Sequence, residues 1–363
     1  MFLGKILKRK ENQDDIKSMS YWRVGISLAA SWSWGVSMIA TMAFMYTMGI
    51  IPSLFWVAGN ILAMPLFGLV TKKIPEFKKW IDFIPLILFS LFIAAMAVIM
   101  NMQALLIGLG GGQDVASYHF LDSAYSVPSI IVFSLLILFY IFRYGLRGSV
   151  LTDLGYYSLQ MLSVFLLAML SIWTSRFGIN PNLHMITPAG VAWVFPLGFL
   201  GIISGVFTDP MMWQRFEQKE DPVKLSLWGG LWFGLYMAFV VLTGLFFRPT
   251  LLLGSLLLMV IFALATSTIG SAVASIQFLT KKIGIGKTPG LVLALVGIVA
   301  WPYLMDLGMA KIWNIYAGYR WKVVTAMIVI SLLGHFVLKK EYNEKIIDLL
   351  RKMRLFPRKK SQP

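Results

Sequence analysis

The chain has 363 residues, of which 58% are hydrophobic and 13% are charged, and its mean hydropathy is +0.76. Soluble domains carry about 25% charged residues, so this composition excludes an ordinary soluble enzyme and indicates a polytopic membrane protein. There is no cysteine, which excludes a disulfide framework and a thiolate metal site. A net charge of +16 is also typical of nucleic-acid-binding proteins, but the positions of the basic residues argue against that function.

Ten segments of the sequence are long and apolar enough to cross a bilayer, which takes about 20 residues per helix. They lie at 21–47, 52–71, 81–107, 128–145, 150–175, 188–208, 225–247, 249–280, 288–306 and 321–338. The sequence therefore predicts an all-α polytopic membrane protein with ten transmembrane helices.

Lysine and arginine are distributed unevenly between the two sides of these predicted spans. If residue 1 is cytoplasmic, only five of the 32 basic residues fall on the outer side, namely Arg176, Arg248, Lys311, Arg320 and Lys322. This positive-inside pattern predicts a cell (plasma or inner) membrane protein with both termini in the cytoplasm. The basic excess is then expected to contact anionic lipids at the cytoplasmic face, not nucleic acid.

The spans divide near 176–187 into two blocks of five, 21–175 and 188–338. Because five is odd, the blocks enter the membrane from opposite sides, which is the 5+5 inverted repeat of many secondary transporters. Residues 1–20 are predicted to form a cytoplasmic leader, and 339–363 are predicted to form a basic cytoplasmic tail.

The first span of each block contains residues that interrupt a helix. The first block has "ASWSWG" at 30–35, and the second has "FPLGFLG" at 195–201, where Pro196 lacks an N–H group. Inverted-repeat transporters bind their cargo where these helices are broken near the midplane. We therefore predict that the first and sixth helices are broken.

Hydroxyl residues are concentrated in the eighth span, which reads "FALATSTIGSAVASI" at 262–276. Such hydroxyls usually donate to the carbonyl four residues back in their own helix, and this is the expectation for Ser271 and Ser275. Ser267 and Thr268, about 100° apart on the helix, could instead lean toward one point. With the Leu264 carbonyl and carbonyls of a broken helix they would form an oxygen site for a hard cation. The residues alone leave both explanations open.

Charged side chains are expected only at the ends of spans, and a proton-driven carrier normally needs one inside. A sodium site made of carbonyls and hydroxyls needs none. The sequence also lacks a catalytic motif or a cluster of histidines. The chain is therefore predicted not to be an enzyme and to use no cofactor, with Na⁺ as a coupling ion. Four aspartates are expected at span ends: Asp82, Asp153, Asp209 and Asp306.

With these residues in view, the chain resembles the sodium:solute symporter family from about residue 20 to 338. The resemblance is carried by "ASWSWG" with "YTMGI" (46–50), "YGLRGSVLTD" (144–153), "VFTDPMMWQR" (206–215) and "FALATST". The first and third stretches are most similar to the branch that transports urea. The resemblance implies a LeuT-type fold, shortened here to the ten-helix core because family members usually carry additional helices.

The resemblance also implies roles for individual residues. Asp153 matches a carboxylate near the inner sodium exit, although an ordinary helix-end charge near Arg143 and Arg147 would explain it as well. Substrate contacts are expected from Trp32, Trp34 and Trp193, for which anchoring at the membrane interface is the alternative. The implied sodium ligands are the carbonyls of Ala30, Ser33 and Leu264 and the hydroxyls of Ser267 and Thr268.

Two departures from the family pattern narrow the expected substrate. The Gln that commonly follows the Thr-Asp pair is missing near Tyr156, and Ser204, Gly205 and Val206 stand where sugar carriers have an aromatic pair. The predicted function is sodium-coupled symport of a small polar solute, such as urea or an amino acid, by alternating access. The alternatives are a non-transporting membrane sensor or scaffold that retains the fold, and a passive channel. The oligomeric state is not predicted.

Overall fold

A computed structural model of the chain describes residues 16–111, 123–248, 250–304 and 309–336, with a few positions beyond 344. All regular structure within these ranges is helical. The predicted leader lies mostly outside the described residues, as do the basic tail and Asp306. The main helices are α1 (Tyr21–Trp32), α2 (Gly35–Thr47), α3 (Ile50–Lys73), α4 (Ile84–Leu106), α5 (Ser123–Thr174), α6 (Pro188–Trp193), α7 (Pro210–Phe216), α8 (Pro222–Phe246), α9 (Leu251–Lys282), α10 (Lys287–Leu304) and α11 (Met309–Phe336).

The first predicted span is broken where the sequence indicated. Helix α1 ends at Trp32, α2 begins at Gly35, and their axes are bent by 59°. Between them Ser33 has φ −81° and ψ 77°, and Trp34 is extended with φ −72° and ψ 142°. The prediction of a broken first helix is confirmed.

The sixth predicted span is interrupted at the expected place but in a different form. Helix α6 continues into a π-helix over Val194–Leu200, one α-helical turn over Gly201–Ile203 and a 3₁₀ turn over Ser204–Phe207. Pro196 lies inside the π-helix, where its missing N–H removes one donor from the usual i→i−4 ladder. The helix is therefore widened and then tightened, whereas the sequence predicted that it is broken.

The fourth and fifth predicted spans are joined in α5, which runs for 52 residues without an intervening loop. Gly145 alone is non-helical inside it, with φ 62° and ψ −155°, and marks a kink. A straight helix of this length would measure about 78 Å, more than twice the roughly 30 Å of bilayer hydrocarbon. The kink at Gly145 therefore divides α5 into two parts, each long enough for one passage.

Within the described residues, five helices are long and apolar enough to cross a membrane, or six when α1 and α2 count as one span. The predicted total of ten and the 5+5 repeat stay predictions. One assignment was wrong: the last helix begins at Met309, not near 321, so Arg320 lies inside it. Its side chain is only 2% exposed, whereas the sequence placed it in an outer loop.

Helix α9 lies at the centre of the fold and packs most extensively against α5 and then α4, while α8 packs against α3 and α1. Close approach of α1 and α8 depends on Gly25, because a Cβ there would lie 2.5 Å from the Cβ of Trp228. Large apolar side chains such as Leu136 and Leu166 remain exposed on the outside. That distribution is expected of helices that face lipid.

The described end of the leader packs on the segment that follows the sixth span. Ile16 is fully buried, and its N–H donates to Gln218 Oε1 at 2.9 Å. Lys219 Nζ donates to the Lys17 carbonyl at 2.8 Å. These contacts hold the start of α1 next to the region that contains α7.

Candidate ion and solute site

The break between α1 and α2 exposes backbone groups, and a polar side chain of α4 binds one of them. The Gly35 N–H donates to Asn101 Oδ1 at 2.8 Å, and Asn101 Nδ2 donates to the Ala97 carbonyl at 2.7 Å. The Trp34 N–H bonds the Trp32 carbonyl at 3.0 Å, not the Ala30 carbonyl four residues back. The Ala30 carbonyl is thereby released from the helical ladder.

Helix α9 places a hydroxyl opposite this break. Thr268 Oγ1 lies 3.4 Å from the Ser33 carbonyl oxygen, and both residues are fully buried. Thr266 and Ser275 donate instead to carbonyls of their own helix, at 2.6 Å and 2.8 Å. Hydrogen bonds within α9 therefore account for the hydroxyls of Thr266 and Ser275, whereas the hydroxyl of Thr268 faces the broken backbone.

Ser267 has a different partner from its neighbour Thr268. Its hydroxyl donates to Asp153 Oδ1 on α5 at 2.5 Å. Of the five predicted sodium ligands, Ser33 and Thr268 face each other across the break, while Ser267 is bonded to Asp153. Ala30 lies three residues before Ser33 in α1, and Leu264 lies one turn before Thr268 in α9.

Asp153 forms a buried ion pair that the sequence did not predict. Arg215 Nη2 on α7 lies 3.0 Å from Asp153 Oδ2, and the two side chains are 0% and 1% exposed. Arg143 and Arg147, the partners considered from the sequence, are exposed. Asp153 lies eight residues beyond the Gly145 kink and is 1% exposed, so the alternative of an ordinary helix-end charge near Arg143 and Arg147 was wrong.

Serine hydroxyls surround this ion pair. Ser27 Oγ donates to Asp153 Oδ2 at 2.5 Å and accepts from Arg215 Nε at 2.9 Å. Arg215 Nη2 also donates to Ser271 Oγ at 2.9 Å. The resulting Asp153 cluster joins α1, α5, α7 and α9 and consists of Ser27, Asp153, Arg215, Ser267 and Ser271.

Besides Arg215, two serines of the Asp153 cluster, Ser27 and Ser271, have contacts that the sequence did not predict. Ser271 was expected to bond within its own helix, but its hydroxyl lies 3.3 Å from Asp153 Oδ2. The i, i+4 spacing of Ser267 and Ser271 was the available signal, because it places both on one face of α9. Nothing local marked Ser27, whose role depends on the packing of α1 against α5.

Asp209 positions the arginine of the cluster by capping α7. Its Oδ1 accepts the Met211 N–H at 2.8 Å, as an N-cap residue does. Burial raises the pKa of Asp209 to about 7, opposed by the Met211 hydrogen bond and by the charges of Arg215 and Arg320. Six residues further on, Arg215 Nη1 donates to the Met211 carbonyl at 2.8 Å, which fixes the guanidinium toward Asp153.

The two tryptophans at the break are buried, with exposed fractions of 7% for Trp32 and 6% for Trp34. Within the described part of the chain, neither indole N–H has a hydrogen-bond acceptor. A buried donor without a partner costs about 1–3 kcal/mol. Unsatisfied donors at a helix break therefore require an explanation.

Trp193, the third predicted substrate residue, lies in a different cluster. Its ring centroid is 4.6 Å from that of Phe44 and 5.6 Å from that of Trp56. These rings connect α2, α3 and α6, whereas Trp32 packs beside Gly205 and Arg320. The structure thus brings Trp193 into an aromatic cluster and does not place it with Trp32.

Comparisons with known proteins bear on the fold. No protein-family model matches the sequence, and no curated protein matches it in sequence. A solved structure described as the substrate-bound, outward-open state of a Na⁺-coupled sialic acid symporter with a novel Na⁺ site matches with a TM-score of 0.58. The match covers 88% of this chain and 79% of that one at 16% identity. The chain shares the fold of that symporter.

Proposed function

We propose that the protein is a secondary active transporter that couples inward movement of Na⁺ to uptake of a small polar solute. The observation that carries the proposal is the break at Ser33 and Trp34, with a buried hydroxyl of α9 facing the Ser33 carbonyl. A fold shared with a Na⁺-coupled symporter supports it. Membership of the sodium:solute symporter family, with the urea branch nearest, belongs to the same proposal.

The spacing of the oxygens at the break suits a hard cation. An O–H···O hydrogen bond is typically 2.5–3.0 Å long, and the 3.4 Å between Thr268 Oγ1 and the Ser33 oxygen exceeds that range. Two oxygens that bind a cation such as Ca²⁺ at about 2.3–2.6 Å and at a right angle lie roughly 3.3–3.7 Å apart. The proposed Na⁺ ligands are the carbonyls of Ala30, Ser33 and Leu264 with the hydroxyls of Thr268 and, after rotation, Ser267.

Coupling follows from where these ligands lie. A cation bound by α1 and α9 would join the broken first helix to the central helix and favour one orientation of the bundle. Release of the cation past Asp153 toward the cytoplasm would free the two helices to move relative to each other. One Na⁺ that crosses 100 mV supplies about 2.3 kcal/mol before its concentration gradient is counted. That suffices for uphill accumulation of a solute, with Trp32, Trp34 and Trp193 as its proposed contacts.

The test is uptake by the purified full-length chain in liposomes, with a Na⁺ gradient or a matched K⁺ gradient. The solutes are urea, amino acids and small organic acids. Thr268→Ala should reduce sodium-dependent uptake at least about 10-fold, because one cation ligand is lost. Thr266→Ala is the matched control, since the Thr266 hydroxyl donates to its own helix. Uptake of every solute at the same rate in Na⁺ and K⁺ would refute the proposal.

One observation favours a second candidate, a non-transporting scaffold or sensor. Ser267 is already bonded to Asp153, and Arg215 already neutralises that carboxylate, so the Asp153 cluster needs no ion to satisfy its charges. If the protein is a scaffold, its melting temperature should be the same in Na⁺ and in K⁺. Thr268→Ala should then leave both melting temperatures unchanged. A Na⁺-specific rise in melting temperature that Thr268→Ala removes would exclude the scaffold.

A further inference from the structure

The second half of the broken helix begins without a cap of its own. Helix α2 starts at Gly35, and its N-cap residue Trp34 makes no side-chain hydrogen bond to the first turn. The first N–H groups of a helix have no partner within that helix, and a buried N–H is rarely left without one. Gly35 is buried, so its N–H has to be bonded by a group from elsewhere in the fold.

Asn101 of α4 supplies that group from 66 positions further along the chain. Its Oδ1 accepts the Gly35 N–H at 2.8 Å, and its Nδ2 donates to the Ala97 carbonyl in its own helix at 2.7 Å. The Gly35 N–H can only donate, so the oxygen of the amide has to face it. Because the side chain is fully buried and bonded at both ends, its acceptor is held toward the break.

The same short segment carries the carbonyl at which the ion is proposed to bind. The Ser33 carbonyl faces Thr268 of α9, and the Gly35 N–H belongs to the next peptide unit. Planar peptide units in sequence are joined by only two rotatable bonds, so fixing one restricts the orientation of the other. The fit is also close, because a Cβ on Gly35 would lie 3.2 Å from the Ala104 Cβ and 3.4 Å from the Ile261 carbonyl oxygen.

We propose that Asn101 is a positioning residue for the ion site, because its bond to the Gly35 N–H keeps the Ser33 carbonyl turned toward Thr268. This inference rests on the proposed function and deepens it: it names a residue outside the ligand set that determines how tightly the ion binds. Residues that orient the ligands of a metal ion typically change its affinity about 10- to 100-fold when they are replaced.

The experiment is a Na⁺ titration of the purified full-length chain without solute, with K⁺ keeping the ionic strength constant. Thermal stabilisation and the fluorescence of Trp32 and Trp34 at the break are the readouts. Asn101→Leu removes the acceptor in a side chain of similar size and should raise the half-saturating Na⁺ concentration about 10- to 100-fold. Asn101→Asp keeps an acceptor for the Gly35 N–H and should bind Na⁺ at least as tightly as the unaltered chain.

Asn60 of α3 provides the matched control. It is also buried, and its Nδ2 donates to the Trp56 carbonyl four residues back at 3.0 Å. This bond is equivalent to the one that Asn101 makes to Ala97 within its own helix. Asn60→Leu therefore removes a similar bond from a similar environment and should leave the half-saturating Na⁺ concentration unchanged, even where it lowers the melting temperature.

A double substitution separates positioning from a general loss of stability. If Asn101 acts through the carbonyl opposite Thr268, its effect and that of Thr268→Ala on Na⁺ affinity should not add. Asn101→Leu should then weaken Na⁺ binding less in the Thr268→Ala background than in the unaltered chain. Strictly additive losses would contradict the proposed route through the break.

The possible results separate this proposal from the proposed function. If the unaltered chain responds to Na⁺ and Asn101→Leu responds at the same concentrations, the role of Asn101 is overturned and sodium coupling stands. Equal losses in Asn101→Leu and Asn60→Leu, or weaker Na⁺ binding by Asn101→Asp, would overturn it as well. If the unaltered chain does not distinguish Na⁺ from K⁺, both proposals are refuted. Asn101→Ala, which removes the same acceptor, replaces Asn101→Leu if that variant does not fold.

Discussion

At the scale of single residues, the feature that most changes the interpretation of the sequence is the buried pair of Asp153 and Arg215. Both charges have left water, which costs several kcal/mol per ion and is recovered only through good geometry and further hydrogen bonds. Ser27, Ser267 and Ser271 supply those bonds. The pair therefore fixes how α1, α5, α7 and α9 meet.

Removal of one charge from this pair should be costly. Arg215→Met leaves the Asp153 carboxylate buried without its counter-ion and should destabilise the protein by about 3–5 kcal/mol. The measurement is thermal unfolding of the purified protein in detergent. Arg147→Met, which removes an exposed arginine, should change stability by less than about 0.5 kcal/mol.

A second substitution tests the physical cause. Asp153→Asn added to Arg215→Met removes the stranded charge and should recover a large part of the lost stability. If Arg215→Met is as stable as Arg147→Met, the ion pair does not hold these helices together.

At the scale of helices, local sequence located the interruptions but did not determine their form. "ASWSWG" gave a true break because Ser33 and Trp34 leave the helical region and Asn101 receives the freed Gly35 N–H. "FPLGFLG" forms a π-helix over Val194–Leu200 that includes Pro196. Which outcome occurs depends on partners elsewhere in the fold, such as Asn101, that lie far away in the sequence.

Among the helix positions, Gly145 in α5 is the one at which a substitution is most informative. Its φ of 62° and ψ of −155° fall in a region that is essentially restricted to glycine. Gly145→Ala should therefore destabilise the protein by about 1–3 kcal/mol, because the alanine Cβ opposes the kink between the two halves of α5.

The matched control lies ten residues further along the same helix. A Cβ on Gly155 would meet nothing within 4 Å, so Gly155→Ala should be neutral or should stabilise the helix by up to about 1 kcal/mol. Thermal unfolding of the two variants side by side checks this. Equal melting temperatures would show that the kink does not depend on glycine at position 145.

At the scale of the whole molecule, the fold is shared with a Na⁺-coupled symporter despite 16% identity. A membrane fold tolerates such divergence because apolar length and satisfied backbone bonds define its helices, and many side chains meet both demands. Orientation is a separate property, set by the side on which lysine and arginine accumulate.

The absence of cysteine allows a clean test of orientation. Asn182 lies before α6 and Glu220 lies between α7 and α8, and both are exposed. In intact cells a membrane-impermeant maleimide should label Asn182→Cys readily and Glu220→Cys at least about 10-fold more slowly, as the basic-residue distribution predicts. Permeabilised cells provide the control, in which both sites should react. Faster labelling at position 220 in intact cells would invert the assigned topology.

The sequence by itself determined that the chain is a membrane protein, where its apolar helices lie and where the first of them breaks. These properties depend on the length of each apolar segment and on whether its residues can keep the backbone hydrogen bonds of a helix. Both features are local to one stretch of sequence. Only the tertiary structure decided that Asp153 pairs with Arg215, that Arg320 is buried beside Trp32, and that Ser267 and Thr268 have different partners. Those contacts join residues dozens to hundreds of positions apart, and no local pattern specifies which helix faces meet.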